Sequence, residues 1–284
     1  MIIHFADGRL GNQLFQYAFL KTIAKDKEKI ITCNMDKFLE VIDCNDDNFK
    51  NFHLGKYQRF FIKISIGKFL IFLSQVKLTG YIKQNRSNTS ALPFYTEKKG
   101  VFPIKFIETN FFQSEMFLNP AKFKIEIKKN YLDSANKIFE KIGNGFNKVF
   151  VHIRRGDYLF EEYLGEIGID LPKSYYFKAM NLIRKYIEAP FFIFLSDDPS
   201  FVECCFQKEK NKYISRNNMA VDLALMSLCE YGIVSNSSFS WWGAYLMKNK
   251  KKVIFPKYWY GWKQKIESHV GIQPSWAEVI DIEE

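Results

Sequence analysis

A chain of 284 residues, 47% hydrophobic and 25% charged, has enough apolar surface for one large or two smaller cores, so disorder is not the default reading. Its net charge of +10 favours an anionic partner, whether nucleic acid, a nucleotide or phosphate substrate, or an anionic membrane face. Five cysteines without a CxxC pair, and four histidines that do not cluster with them, exclude a disulfide scaffold, argue against a zinc site and suit a reducing compartment.

The opening MIIHFADGRL has neither a basic n-region nor a long apolar h-region, so no secretory signal is expected. Ile2 to Phe5 reads as a strand, followed by a glycine-bearing turn and a helix from about Asn12 to Ala24. Phe60 to Leu78 is apolar but interrupted by Lys63, Lys68 and Lys77, so it is not a membrane span. On a helical wheel Lys63, Gly67, Ser74 and Lys77 share one side, with Ile62, Ile66, Phe69, Leu73 and Val76 opposite. That pattern predicts a helix packed on its own domain, or a basic helix resting on a membrane surface.

Past Gly80 the pattern loosens into SNTSALP, with short strands expected near Val101 to Phe106. A helix from about Tyr131 to Ile142 ends at GNG, residues 143–145, which marks a hinge. Strands then alternate with helices: Lys148–Ile153, Phe191–Leu195, Tyr231–Val234 and Lys252–Phe255 as strands, with helices at Ser174–Ile187, Asp222–Cys229 and Trp241–Met247. Phe191–Leu195 is apolar without alternation, as suits a strand covered on both faces. Strand-helix alternation implies a parallel, doubly wound sheet, whose ligands bind beyond the carboxyl ends of the strands.

The residues just past each strand are therefore the candidates for chemistry. After Ile153 come Arg154, Arg155, Gly156 and Asp157; after Leu195 come Ser196, Asp197 and Asp198; after Val234 come Ser235, Asn236, Ser237 and Ser238. After the first strand come Asp7, Gly8, Arg9, Leu10, Gly11 and Asn12. Arginine grips phosphate with a bidentate fork, and SNSS offers hydroxyls and N–H groups at the start of a helix. Asp197 and Asp198 suit sugar hydroxyls or a role holding the arginines. Together the tips describe a nucleotide diphosphate site. Singly, RRGD also suits a solvated turn, SNSS a plain N-cap, the Trp241–Trp242 pair core packing, and Asp197–Asp198 before Pro199 a helix cap.

These segments resemble the α-1,2-fucosyltransferases of glycosyltransferase family 11. The carrying motifs are GRLGNQLFQYAF (8–19), VHIRRGDY (151–158), FLSDD (194–198) and DLALMSLCEYGIVSNSSFSWWGAYL (222–246). The resemblance implies a GT-B-type α/β fold of two Rossmann-like domains facing a cleft, here an acceptor-side domain over residues 1–143 and a donor-binding domain over residues 146–284. It implies an inverting glycosyltransferase with GDP-β-L-fucose as donor and no cofactor or metal; the sequence contains no Asp-x-Asp. By the family's motifs Arg154 lies on the β-phosphate, with Arg155 and Asp157 beside it as catalytic candidates. His152 approaches the guanine, Asp222 bonds it, and Asp197, Asn236, Ser237 and Ser238 complete the donor site. Gly11 and Asn12 close on the transferred sugar.

The family's usual GGLGNQ carries Arg9 at the second glycine, where a positive φ would strain arginine. Asp157, Glu161, Glu162 and Glu166 are the candidate bases. The expected acceptor is the 2-hydroxyl of a galactose-terminated oligosaccharide or lipid-linked glycan of a bacterial surface, such as O-antigen or lipopolysaccharide. The expected location is the cytoplasm, with peripheral contact at the inner membrane. The alternatives are a transferase of another nucleotide sugar, a non-catalytic glycan-binding relative, and a nucleic-acid-binding protein. Scattered basic residues and buried strands count against the last of these.

Overall fold

A computed structural model describes residues 1–85 and 92–283. The stretch SNTSA, residues 87–91, lies outside the described residues. The chain forms two compact units, one from Met1–Asn85 with Leu92–Glu126, the other from Ile127 onward.

The first unit is built on a six-stranded sheet: β1 (Ile2–Phe5), β2 (Ile30–Cys33), β3 (Phe49–Phe52), β4 (Gly80–Asn85), β5 (Phe94–Lys98) and β6 (Lys105–Ile107). The order is β3-β2-β1-β6-β4-β5. Every pairing is parallel except β4 with β5. Helix α1 (Leu10–Ile23) follows β1 and buries most of its length against this sheet, which suits its run of Leu14, Phe15, Phe19 and Leu20. It begins two residues before the expected Asn12 because Arg9 serves as N-cap, in an extended conformation with φ −87° and ψ −178°. Positive φ falls on Gly8 instead, at +80°, so Arg9 is unstrained. Buried Gln13 secures the turn. Its Nε2 donates to the carbonyls of Gly8 (3.2 Å) and Asn34 (3.1 Å), and its Oε1 accepts from the Phe38 N–H (2.9 Å).

A short helix, α2 (Asp36–Val41), follows β2, and the expected amphipathic segment forms α3 (Lys56–Gln75). Its packed side departs from a simple apolar-inward rule only in part, since Ile62 and Leu73 of the expected apolar side do pack against the core beside Leu70. Gly67, Leu70 and Ser74 are buried, while Ile66, Phe69 and Val76 are exposed. The small residues let the helix lie close to Phe5, whose ring is 3.8 Å from where a Cβ on Gly67 would stand. Among the described residues no helix is long and apolar enough to cross a membrane.

The second unit holds β7 (Asn147–Ile153), β8 (Pro190–Ser196), β9 (Lys212–Ile214), β10 (Tyr231–Ile233), β11 (Lys252–Pro256) and β12 (Glu278–Ile280). They form one sheet in the order β9-β8-β7-β10-β11-β12, parallel throughout. Edge strands β9 and β12, three residues each, were not expected from sequence. Phe192 to Leu195 of β8 are fully buried, the expected signature of a strand covered on both faces. The connections are α5 (Lys173–Tyr186), α6 (Pro199–Cys205), α7 (Met219–Leu228) and α8 (Ser238–Tyr245), and α4 (Lys129–Ile142) precedes β7. Because α4 packs on α7, the units divide at Glu126 and Ile127, ahead of α4, rather than at residues 143–146. Both units are Rossmann-like, the GT-B class of α/β fold. In the second, the chain winds outward from β7 to β9, then returns to β10 and winds the other way. That reversal opens a crevice beyond the carboxyl ends of β7 and β10, where a doubly wound sheet binds ligands.

Candidate active site

Arg154 is the first residue past β7, so the strand delivers its guanidinium to the crevice. The side chain is only 16% exposed. Its Nη1 lies 2.7 Å from Asp197 Oδ2, its Nη2 pairs with Asp157, and its guanidinium carbon lies 5.2 Å from the centre of the Tyr158 ring. Asp197 comes from the tip of β8, the neighbouring strand, and its Oδ1 also accepts the Arg155 N–H at 2.9 Å. Gly156 makes this approach feasible, since a Cβ there would stand 2.5 Å from Asp197 Oδ2.

Arg155 has a different setting. Its Nε donates to Asp198 (3.3 Å) and its Nη1 to Asp170 (3.1 Å), and its guanidinium sits 3.7 Å from the centre of the Phe201 ring. Asp198 also caps α6 by accepting the Phe201 N–H at 3.0 Å. Arg155 is thus bound into the scaffold on several sides. Burial pushes the Asp170 carboxyl up despite Arg155 beside it. Four carboxylates (Asp157, Asp170, Asp197, Asp198) surround two guanidiniums. The cluster therefore has no surplus positive charge, and its value lies in fixed geometry.

The SNSS tip of β10 lies beside this cluster. The Nδ1 of His152, in β7, lies 2.7 Å from Ser235 Oγ, and Phe239 stands against its ring. Burial lowers the His152 pKa to about 3, so the imidazole is neutral at physiological pH. The Tyr158 hydroxyl bridges to the Asn236 carbonyl (3.4 Å) and to the Tyr260 hydroxyl (3.0 Å). Asn236 is fully buried, and its Nδ2 donates to the Ile169 carbonyl at 2.6 Å. Ser237 is the N-cap of α8, its hydroxyl accepting the Phe239 N–H at 3.4 Å, and Ser238 is the first residue of that helix. The positive end of α8 thus opens on the crevice.

Asp222 sits in the first turn of α7, capped by Asn218. The Ser215 hydroxyl donates to Asp222 Oδ1 at 2.5 Å, and Ser215 itself follows β9. Burial raises the Asp222 pKa to about 7. The candidate bases differ in setting: Asp157 is tied to Arg154, while Glu161, Glu162 and Glu166 are exposed.

The expected residues from the first unit lie in and around α1. Gly11 is buried, and Asn12 Oδ1 accepts from Gln113 Nε2 at 2.7 Å. Beyond the carboxyl ends of β1 and β6 that unit has its own cavity of about 520 Å³, lined by Asp7, Phe106, Glu108 and Phe111 among others. Among the described residues no three His, Cys, Asp or Glu side chains converge as a metal site.

Of the residues singled out from sequence, the structure places Arg154, Arg155, Asp157, Asp197, His152 and the SNSS tip as neighbours in space. Sequence reasoning missed Asp170, Phe201, Ser215 and Tyr260. Ser215 follows a strand too short to read as one. Asp170 and Tyr260 lie in irregular segments without a period.

The model of glycosyl transferase family 11 matches residues 1–279. The chain is 27% identical to the O-antigen biosynthesis glycosyltransferase WbnK of Escherichia coli, over 91% of this chain and 94% of that one. It is 29% identical to an alpha-1,2-colitosyltransferase of Escherichia coli, over 96% of each. Among solved structures, fucosyltransferase NodZ from Bradyrhizobium superposes with a TM-score of 0.53 at 9% identity, over 86% of this chain and 92% of NodZ.

Proposed function

The chain belongs to glycosyl transferase family 11 and is a glycosyltransferase, and from that premise we propose that it moves L-fucose from GDP-β-L-fucose to the 2-hydroxyl of a terminal galactoside. The glycan is a bacterial surface polysaccharide, the transfer inverts the anomeric centre, and no metal takes part. The observation that carries this reading is the Arg154 guanidinium, held by Asp157 and Asp197 at the strand-order reversal, beside the N-terminus of α8.

In the proposed reaction the acceptor oxygen attacks C1 of the fucosyl group as the bond from C1 to the diphosphate breaks. GDP departs with the electron pair. Charge therefore grows on the β-phosphate, and preorganised donors aimed there lower the barrier. Arg154 supplies the fork, and Ser237, Ser238 and the first N–H groups of α8 supply further donors. When Arg154 turns a nitrogen to phosphate, Asp157 gives up its pairing and becomes available to take the acceptor's proton. Arg155 acts as a positioning residue, because its guanidinium is already bound by Asp170 and Asp198. Asp222, as a carboxylate, accepts from the guanine N1–H and 2-amino group. The five cysteines are all free thiols, which accords with the cytoplasm, where this reading places the reaction.

A second donor has a specific observation behind it, the 29% identity to a colitosyltransferase. Colitose differs from fucose by one absent hydroxyl. A site that hydrogen-bonds that hydroxyl discriminates strongly between the two sugars. Turnover of GDP-fucose, GDP-colitose, GDP-mannose and UDP-sugars, each with and without EDTA over a set of galactosides, tests the proposal. Preference for GDP-fucose, unchanged by EDTA, is expected. A preference for a uridine donor, or abolition by EDTA, would discard it.

A further inference from the structure

The outward face of α3 is apolar where a helix of a water-soluble protein is ordinarily polar. Tyr57, Phe61, Phe72 and Val76 lie on that face, with Tyr57 89% and Phe61 70% exposed. The patch continues past the helix. The Val101 N–H donates to the Lys77 carbonyl and the Phe102 N–H to that of Leu78, both at 2.9 Å, so the turn carrying exposed Val101 and Phe102 is pinned to the end of α3. A continuous apolar patch of this kind marks an interaction surface.

Charge identifies the occupant. Residues 56–77 include Lys56, Arg59, Lys63, Lys68 and Lys77 and no Asp or Glu, and Lys98 and Lys99 precede the pinned turn. A second copy of the chain would set these like charges against one another. We propose that α3 and the turn at Val101–Phe102 rest in the plane of an anionic phospholipid surface, aromatic side chains at the level of the headgroups and lysines on the lipid phosphates. The adjoining flank of α3 stays with the protein, where Ile64, Gly67, Lys68 and Ile71 line the first unit's cavity. The surface belongs to the first unit and the proposed donor-site residues to the second, so this inference stands whichever sugar is transferred.

Vesicle flotation of the full chain tests it. Binding to vesicles of phosphatidylglycerol with phosphatidylethanolamine, weakened by added salt, is expected, with little binding to phosphatidylcholine alone. Each basic residue near the surface contributes about fivefold, so Lys77→Gln with Lys99→Gln should weaken partitioning roughly 25-fold. Phe61→Ser with Phe72→Ser should abolish flotation without moving the thermal midpoint, because both rings are more than half exposed. Hydrogen exchange of the unaltered protein should show residues 56–78 protected by anionic vesicles. No flotation, equal flotation on neutral vesicles, or unchanged flotation of both variants overturns the proposal. Self-association lost in the Phe variant also overturns it, since the occupant is then a second copy.

Discussion

Replacing Arg154 by alanine separates a diphosphate-binding guanidinium from a merely structural one. The substitution removes a fork 2.7 Å from Asp197 and paired with Asp157, and leaves two carboxylates facing the crevice. Both partners are partly open to solvent, Asp157 at 41% and Asp197 at 26%, so lost pairing should destabilise the fold by only about 1 kcal/mol. Catalysis should suffer far more. Removing one preorganised donor from a developing oxyanion costs ~3 kcal/mol, or 10²–10³ in kcat. The exposed carboxylates add repulsion toward the donor's phosphates, so KM should rise as well. GDP release from GDP-fucose at saturating acceptor measures both effects, and thermal unfolding checks the fold. Arg154→Lys keeps the charge but loses the fork and should fall between alanine and arginine. If a folded Arg154→Ala enzyme retained kcat within about threefold of the parent, the guanidinium would have no part in leaving-group departure.

Gly156→Ala should cost activity without touching substrate, because its Cβ would displace the Asp197 carboxylate that orients Arg154; kcat should fall, and Asp197→Asn should mimic it in the same assay. If Asp222 holds guanine as proposed, GDP affinity, by calorimetry, should weaken below pH 7 by up to about tenfold per unit, because the carboxyl must be ionised to accept and its pKa is about 7. Asp222→Asn should bind weakly at every pH and lose that slope. The same raised pKa means the folded state holds more protons than the unfolded one between about pH 4 and 7, so stability falls as pH rises through that window; Asp222→Asn should be the more stable protein above it, by denaturant titration. His152 has the opposite sign. Its pKa is depressed to about 3, so its contribution is complete above about 6.5 and is lost progressively as pH falls toward 3; His152→Gln should flatten the acid limb of the stability profile.

The strand-helix alternation after residue 146 was legible because each central strand is a short run of Val, Ile and Phe, and such runs belong to strands covered on both faces. The polar tips were legible for the same reason. A buried strand must end where the chain re-emerges, and in a doubly wound sheet that is the ligand edge. The sequence alone thus determined the class of fold, the chemistry of each tip and the suitability of Arg154 for phosphate. Tertiary structure decided how those groups divide their work. Arg154 and Arg155 are adjacent in sequence, yet the turn sends one to the crevice and the other between Asp170, Asp198 and Phe201, a division set by partners 15 to 46 residues from Arg155. Only the backbone could show that the positive φ lies at Gly8 and spares Arg9. Only packing could show that α3 turns Gly67 and Ser74 inward and leaves its aromatic side outside. Periodicity reports which residues share a face, whereas the shape of the surface underneath determines which face fits.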